Sequence, residues 1–144
     1  MSRGLVLLIV AAAAASTQAA DSACFLALLD AQIALSPGWS ACMTQYNADI
    51  MKLNAAPNCS FYAESYDAPT CDPIVANFMK CVLKAAKLLK ADNTFDDAAF
   101  KATTLQNKCS ADAKFIAAYP TCKNSTMKYL NVARLIACLL SAVY

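Results

Sequence analysis

The chain has 144 residues, 12 of them basic and 10 acidic, and it contains no histidine. So even a balance, with no basic block, gives no electrostatic case for a nucleic-acid partner. The missing histidine removes the Ser-His-Asp triad, the Cys-His dyad and the usual zinc hydrolase sites.

The opening run MSRGLVLLIVAAAAASTQA reads as a secretory signal peptide over residues 1–19. Arg3 supplies the basic start, Leu5 to Ala15 the apolar run, and Thr17 and Ala19 the small residues before a cleavage site. The run is too short to span a bilayer. Its removal would leave residues 20–144 as a single helical, disulfide-rich domain, secreted and extracellular, with no transmembrane anchor.

Ala, Leu, Lys and Met dominate the segments that follow, and only two glycines and five prolines interrupt them, so helix is favoured throughout. A first helix is expected over 22–35, capped by Ser22 or Asp21 and stopped at Ser36-Pro37-Gly38. A second, over about 37–53, places Trp39, Cys42, Met43, Tyr46, Ile50 and Leu53 on one face. Asp72-Pro73 signals the start of a third, with Asp72 as N-cap. That helix, to about residue 91, sets Ile74, Val75, Phe78, Met79, Val82 and Leu89 against a row of Lys80, Lys84, Lys87 and Lys90. Thr94 with Asp97 resembles a capping box for a helix to about Lys108. A short helix over 111–118 stops at Tyr119-Pro120, and a last one covers about 123–142. No window alternates as a strand does. The fold class is all-α, a small disulfide-stapled bundle of about five to seven helices.

Cys24, Cys42, Cys59, Cys71, Cys81, Cys109, Cys122 and Cys138 all lie beyond the leader. An even count in that setting implies four disulfides, and no two cysteines are close enough for the paired spacing of zinc motifs. Two stretches echo each other: CSFYAESYDAPTC at 59–71 and CSADAKFIAAYPTC at 109–122. Both open Cys-Ser, close Pro-Thr-Cys and lead into a segment with one more cysteine, which reads as a structural staple used twice. Along a helix Cys81 would lie about 13 Å from the start at residue 72, and Cys138 about 24 Å from Cys122. A disulfide needs Cα atoms within about 7 Å, so neither Cys71–Cys81 nor Cys122–Cys138 is expected, and each cysteine should find its partner on another segment.

With the cysteines bridged, no thiolate nucleophile remains. Asp96-Asp97, Asp67 and Asp72 offer no paired-carboxylate geometry, and no glycine-rich phosphate loop is present. The expectation is a protein that is not an enzyme and needs neither cofactor nor metal. The lysine row reads as a solvated helix face, with an acidic partner as the rival reading. Asn58-Cys59-Ser60 and Asn124-Ser125-Thr126 are glycosylation sequons. The apolar C-terminus NVARLIACLLSAVY reads as a core helix rather than a cleaved lipid-anchor signal.

Two functions fit this inventory. In the first, Trp39, Met43, Tyr46, Ile50, Phe78 and Met79 line a cavity for an apolar small molecule, the methionines adapting to its shape. In the second, the interior is solid and the protein is an effector, toxin or pheromone that meets a cell-surface receptor through Phe61, Tyr62, Tyr66 and Tyr119, since tyrosine-rich loops suit interfaces.

The run CFLALLDAQIALSPGWSAC, Cys24 to Cys42, resembles the opening helix and second cysteine of elicitin-like proteins, which oomycetes secrete. The resemblance implies an all-α, disulfide-stapled fold that binds a sterol or fatty acid in an apolar cavity and can trigger plant defence. That family has six cysteines where this chain has eight, and no binding residue carries over from it.

Overall fold

Ser22 opens the first helix as expected: its Oγ accepts a hydrogen bond from the Phe25 amide at 3.0 Å and so satisfies one of the free amides of the first turn. A computed structural model describes residues 22–144 apart from 62 and 64, so the leader expected over 1–19 lies outside the described residues. Helix α1 (Ala23–Met43) does not stop at Ser36-Pro37-Gly38 but runs through it. Pro37 is exposed, so the carbonyl it leaves unpaired can be solvated. Gly38 is buried against the third helix, where an added Cβ would come within 3.1 Å of the Val82 carbonyl oxygen. The glycine therefore permits a close helix crossing rather than ending a helix.

The helix expected over 37–53 is thus two pieces. A turn at residues 44–46 separates α1 from α2 (Asn47–Ala55). Helix α3 (Ala68–Ala85) begins four residues before Asp72, with Pro69 in its first turn and Asp67 in the capping position. Asp72 is therefore not a cap; it lies inside the helix and is buried. The apolar face is as the periodicity indicates, with Val75, Phe78, Met79 and Val82 buried and the four lysines exposed. The helix ends six residues sooner than expected because Lys87 turns left-handed, φ 58°. The Leu88 amide then donates to the Leu83 carbonyl at 2.8 Å, a closure that caps the orphan carbonyls.

The segment expected to be one helix to Lys108 is a short α4 (Asp97–Ala99) continued by a π-helical turn, Phe100–Thr104. Its cap is Asp96, which accepts from the Ala99 amide at 2.9 Å, whereas Thr94 donates to Asp92. Helix α5 (Ala113–Thr126) starts at an Asp112 cap and passes through Tyr119-Pro120. Pro120 is exposed, as Pro37 is. A 3-10 turn, Met127–Tyr129, and a left-handed Leu130, φ 59°, separate α5 from α6 (Val132–Val143).

Helix α1 packs against both α3 and α6, and α6 against α5. Leu28, Leu35, Phe78, Met79, Val82, Phe100, Leu135 and Leu139 fill the space between them. Among the described residues there are six α-helices and no strand, only an isolated bridge between Leu89 and Phe95. No helix among them is long and apolar enough to cross a membrane.

Four disulfides brace this arrangement: Cys24–Cys109, Cys42–Cys81, Cys59–Cys71 and Cys122–Cys138. Cys71 and Cys81 share α3 and find partners elsewhere, as the axial distance requires. Cys122–Cys138 overturns the second exclusion. The chain reverses at Leu130-Asn131, so the two cysteines lie on adjacent helices with Cα atoms 5.7 Å apart. The echo is therefore not one staple repeated. Cys59–Cys71 closes its own loop, whereas Cys109 ties back to α1 and Cys122 forward to α6. Each bridge contributes about 2–4 kcal/mol.

Candidate functional site

Gln32, Leu35 and Trp39 sit three and four residues apart, so they share one side of α1. Ala133 and Ile136 do the same on α6. Between these two faces, and closed by Phe61 from the α2–α3 loop, lies an apolar groove of about 240 Å³. The Trp39 ring lines it, packed on Phe78 at 5.1 Å and edge-on to Phe61 at 6.2 Å between centroids; such offset pairs favour fixed ring positions.

The wall made by Phe61 is held by a charge. Arg134 Nη1 donates to the Phe61 carbonyl at 2.7 Å, and its guanidinium lies 4.3 Å from the centre of the Tyr66 ring. Behind it, Tyr66 Oη donates to Asp72 Oδ1 at 2.7 Å, and Asn131 Nδ2 donates to the same oxygen at 2.6 Å. Asn131 Oδ1 in turn accepts from the Arg134 amide at 3.1 Å, capping α6. Burial, then the hydrogen bond to Asp72 and its charge, pushes the Tyr66 phenol far above the ordinary tyrosine range. One part-buried network thus joins the loop, α3 and α6 beside the groove.

Of the six residues expected to line a ligand cavity, Trp39 faces this groove. Phe78 and Met79 are wholly enclosed, and Tyr46 and Ile50 are half-buried against the same core. The Tyr46 ring packs 6.4 Å from Phe78, so the space between the second and third expected helices holds aromatic rings. Met43 is exposed. The remaining groove residues, Gln32, Leu35, Phe61, Ala133 and Ile136, come from segments a hundred residues apart. The one available signal was the shared spacing within each helix.

The expected receptor-contact residues separate too. Phe61 is half-buried in the groove wall, and Tyr66 is committed to Asp72. Tyr119 is buried at 5 % exposure and donates to Asp97, while Tyr62 lies outside the described residues. Lys101 and Lys123 meet the same Asp97 carboxylate at 3.4 and 3.3 Å. An exposed apolar stripe lies instead on α1, where Leu26, Leu29 and Ile33 are 47, 39 and 72 % exposed. Asn58 and Asn124 are exposed, but Thr126 of the second sequon is buried with its hydroxyl donating to the Cys122 carbonyl at 2.7 Å. Among the described residues no cluster of His, Cys, Asp or Glu could hold a metal ion. No protein-family model, curated protein or solved structure matches the chain.

Proposed function

We propose that this chain is a secreted, non-enzymatic binding protein that takes an apolar ligand, part of a fatty acid or sterol, into the Trp39 groove. The carrying observation is the lining: five of its six residues, Leu35, Trp39, Phe61, Ala133 and Ile136, are apolar, and Gln32 is the sixth. At about 240 Å³ the groove is smaller than the roughly 300–1,000 Å³ that houses a whole drug-sized ligand. It suits an acyl segment or one end of a ring system, with the rest lying along α1 toward Leu29. The four disulfides fit the oxidising compartment that this role requires. The likeness of Cys24–Cys42 to elicitin-like proteins favours the same class of ligand, and a glycan on the exposed Asn58 belongs to the same extracellular reading.

Trp39 is the chain's one tryptophan, so its emission reports the groove directly. Titration with lauric acid or a sterol is expected to shift that emission to the blue and to saturate. Ala133→Phe, which fills the groove, abolishes the shift while the four bridges still form. A flat wild-type titration with both probes refutes the proposal. The second reading, a protein that meets a receptor and carries nothing, rests on the exposed stripe of Leu26, Leu29 and Ile33. It predicts that Leu26→Ser with Ile33→Ser abolishes cell-surface binding while Ala133→Phe leaves it intact.

A further inference from the structure

A separate pocket of about 280 Å³ lies where the start of α3 meets the end of α5, and it shares no residue with the Trp39 groove. Ala68, Pro69, Asn124 and Tyr129 form its walls, and Asp72, Ser125 and Lys128 bring its chemistry. Asp72 is only 4 % exposed. Both of its side-chain hydrogen bonds, from Tyr66 and from Asn131, end on Oδ1. Among the described residues no side-chain hydrogen bond ends on Oδ2, and Asp72 is one of the residues lining the pocket. A carboxylate oxygen enclosed by protein but open to one pocket calls for a donor in whatever occupies it.

The charges select that occupant. Asp72 lies buried at the inner end; Lys128 is exposed at the rim, its ammonium 5.2 Å from the centre of the Tyr129 ring. A simple cation would gain at Asp72 and be repelled by Lys128, and a simple anion the reverse. The geometry points to a site for a small zwitterion of amino-acid size, its ammonium donating to Asp72 Oδ2 and its carboxylate meeting Lys128. Ser125 Oγ already donates to the Cys122 carbonyl at 3.0 Å and so has lone pairs left to accept a second ammonium N–H. Ala68 and Pro69 offer an apolar wall to a short stem. Charge-assisted hydrogen bonds at both ends make this pairing stronger than a neutral hydroxyl could achieve.

The test is a protein-observed NMR titration of the oxidised protein in the millimolar range with L-alanine, methylammonium, acetate and glucose. L-alanine is expected to give saturable shifts at the amides of Asp72, Ser125 and Lys128. The two singly charged probes and glucose should each bind at least about tenfold more weakly. Asp72→Asn weakens L-alanine by a similar factor, and Lys128→Ala weakens L-alanine but not methylammonium. Ala68→Leu fills the wall while keeping Tyr66, Asp72 and Asn131 themselves unchanged, and blocks binding even if Asp72→Asn fails to fold. Absence of any saturable shift overturns the proposal. So does acetate or methylammonium binding as well as L-alanine, glucose matching it, or an Ala68→Leu protein that binds like wild type.

Discussion

Asn131→Ala should be among the most damaging single changes in the described chain. The side chain has no exposed surface and performs two tasks. Its Oδ1 caps α6 through the Arg134 amide, and its Nδ2 donates to the buried Asp72 carboxylate at 2.6 Å. Loss of the cap costs about 1 kcal/mol. Leaving a buried carboxylate one donor short costs roughly 1.5–3 kcal/mol more. The expected total is about 3 kcal/mol, a large part of the roughly 5–15 kcal/mol that holds a domain folded, and it lowers the melting temperature by about 10 °C. Asn131→Asp keeps a capping oxygen but sets a second carboxylate beside Asp72, so at neutral pH it should be at least as harmful. The assay is guanidinium unfolding of the oxidised protein, for the two variants, Tyr66→Phe and the Tyr66→Phe, Asn131→Ala double mutant. Because Tyr66 and Asn131 share Asp72 Oδ1, their effects should not add. A loss under about 1 kcal/mol for Asn131→Ala, with Asn131→Asp no worse, would refute the reasoning.

Three further outcomes are expected. Replacing Cys122 and Cys138 by serine should cost about 3 kcal/mol, the value for a loop of this length, and non-reducing digestion should link those two peptides; a Cys109–Cys122 fragment would contradict the fold. Burial raises the Asp97 carboxyl, but the Tyr119 hydrogen bond and the charges of Lys101 and Lys123 outweigh it and hold the group below the ordinary range. Its contribution is therefore present above about pH 4 and fades as pH falls through the lower native value. Unfolding midpoints of wild type and Asp97→Asn should converge on acidification, and curves that stay parallel would count against the ion cluster. Tyr66 and Tyr119 are both pushed well above the tyrosine range, by burial first and then by their carboxylate partners. Their contribution is complete below about pH 10 and fades as pH rises from there through the raised native values. In the native protein at about pH 11, phenolate absorbance should not drop on Tyr66→Phe or Tyr119→Phe; a drop would place those hydroxyls in water.

Where local chemistry sufficed, the structure was legible in the residues. The Val75–Phe78–Met79–Val82 face of α3 follows from its spacing alone, and the Ser22 cap from its side chain. Proline misled twice in the same way. Pro37 and Pro120 look like stops, yet each sits on an exposed helix face where water can serve the freed carbonyl. Asn131 misled in the opposite sense. Nothing near it breaks a helical pattern; its side chain turns the chain because Asp72, 59 residues earlier, waits to accept from it. The exclusion of Cys122–Cys138 failed with that turn, its arithmetic sound but its single helix absent.

The candidate sites divide along the same line. Trp39 could be singled out from its apolar neighbours, but the groove exists only where α1, α6 and Phe61 converge. Asp72 reads as a cap until α3 is seen to start at Ala68. By themselves, the residues determine a helical class, a set of cysteines fit for four bridges and a chemistry without histidine, because composition and propensity act over a few neighbours. Which cysteines pair, where the last helix begins, and which faces enclose a groove are decided by contacts between distant segments. Those contacts depend on how every helix packs at once, and no local stretch of chain carries that information.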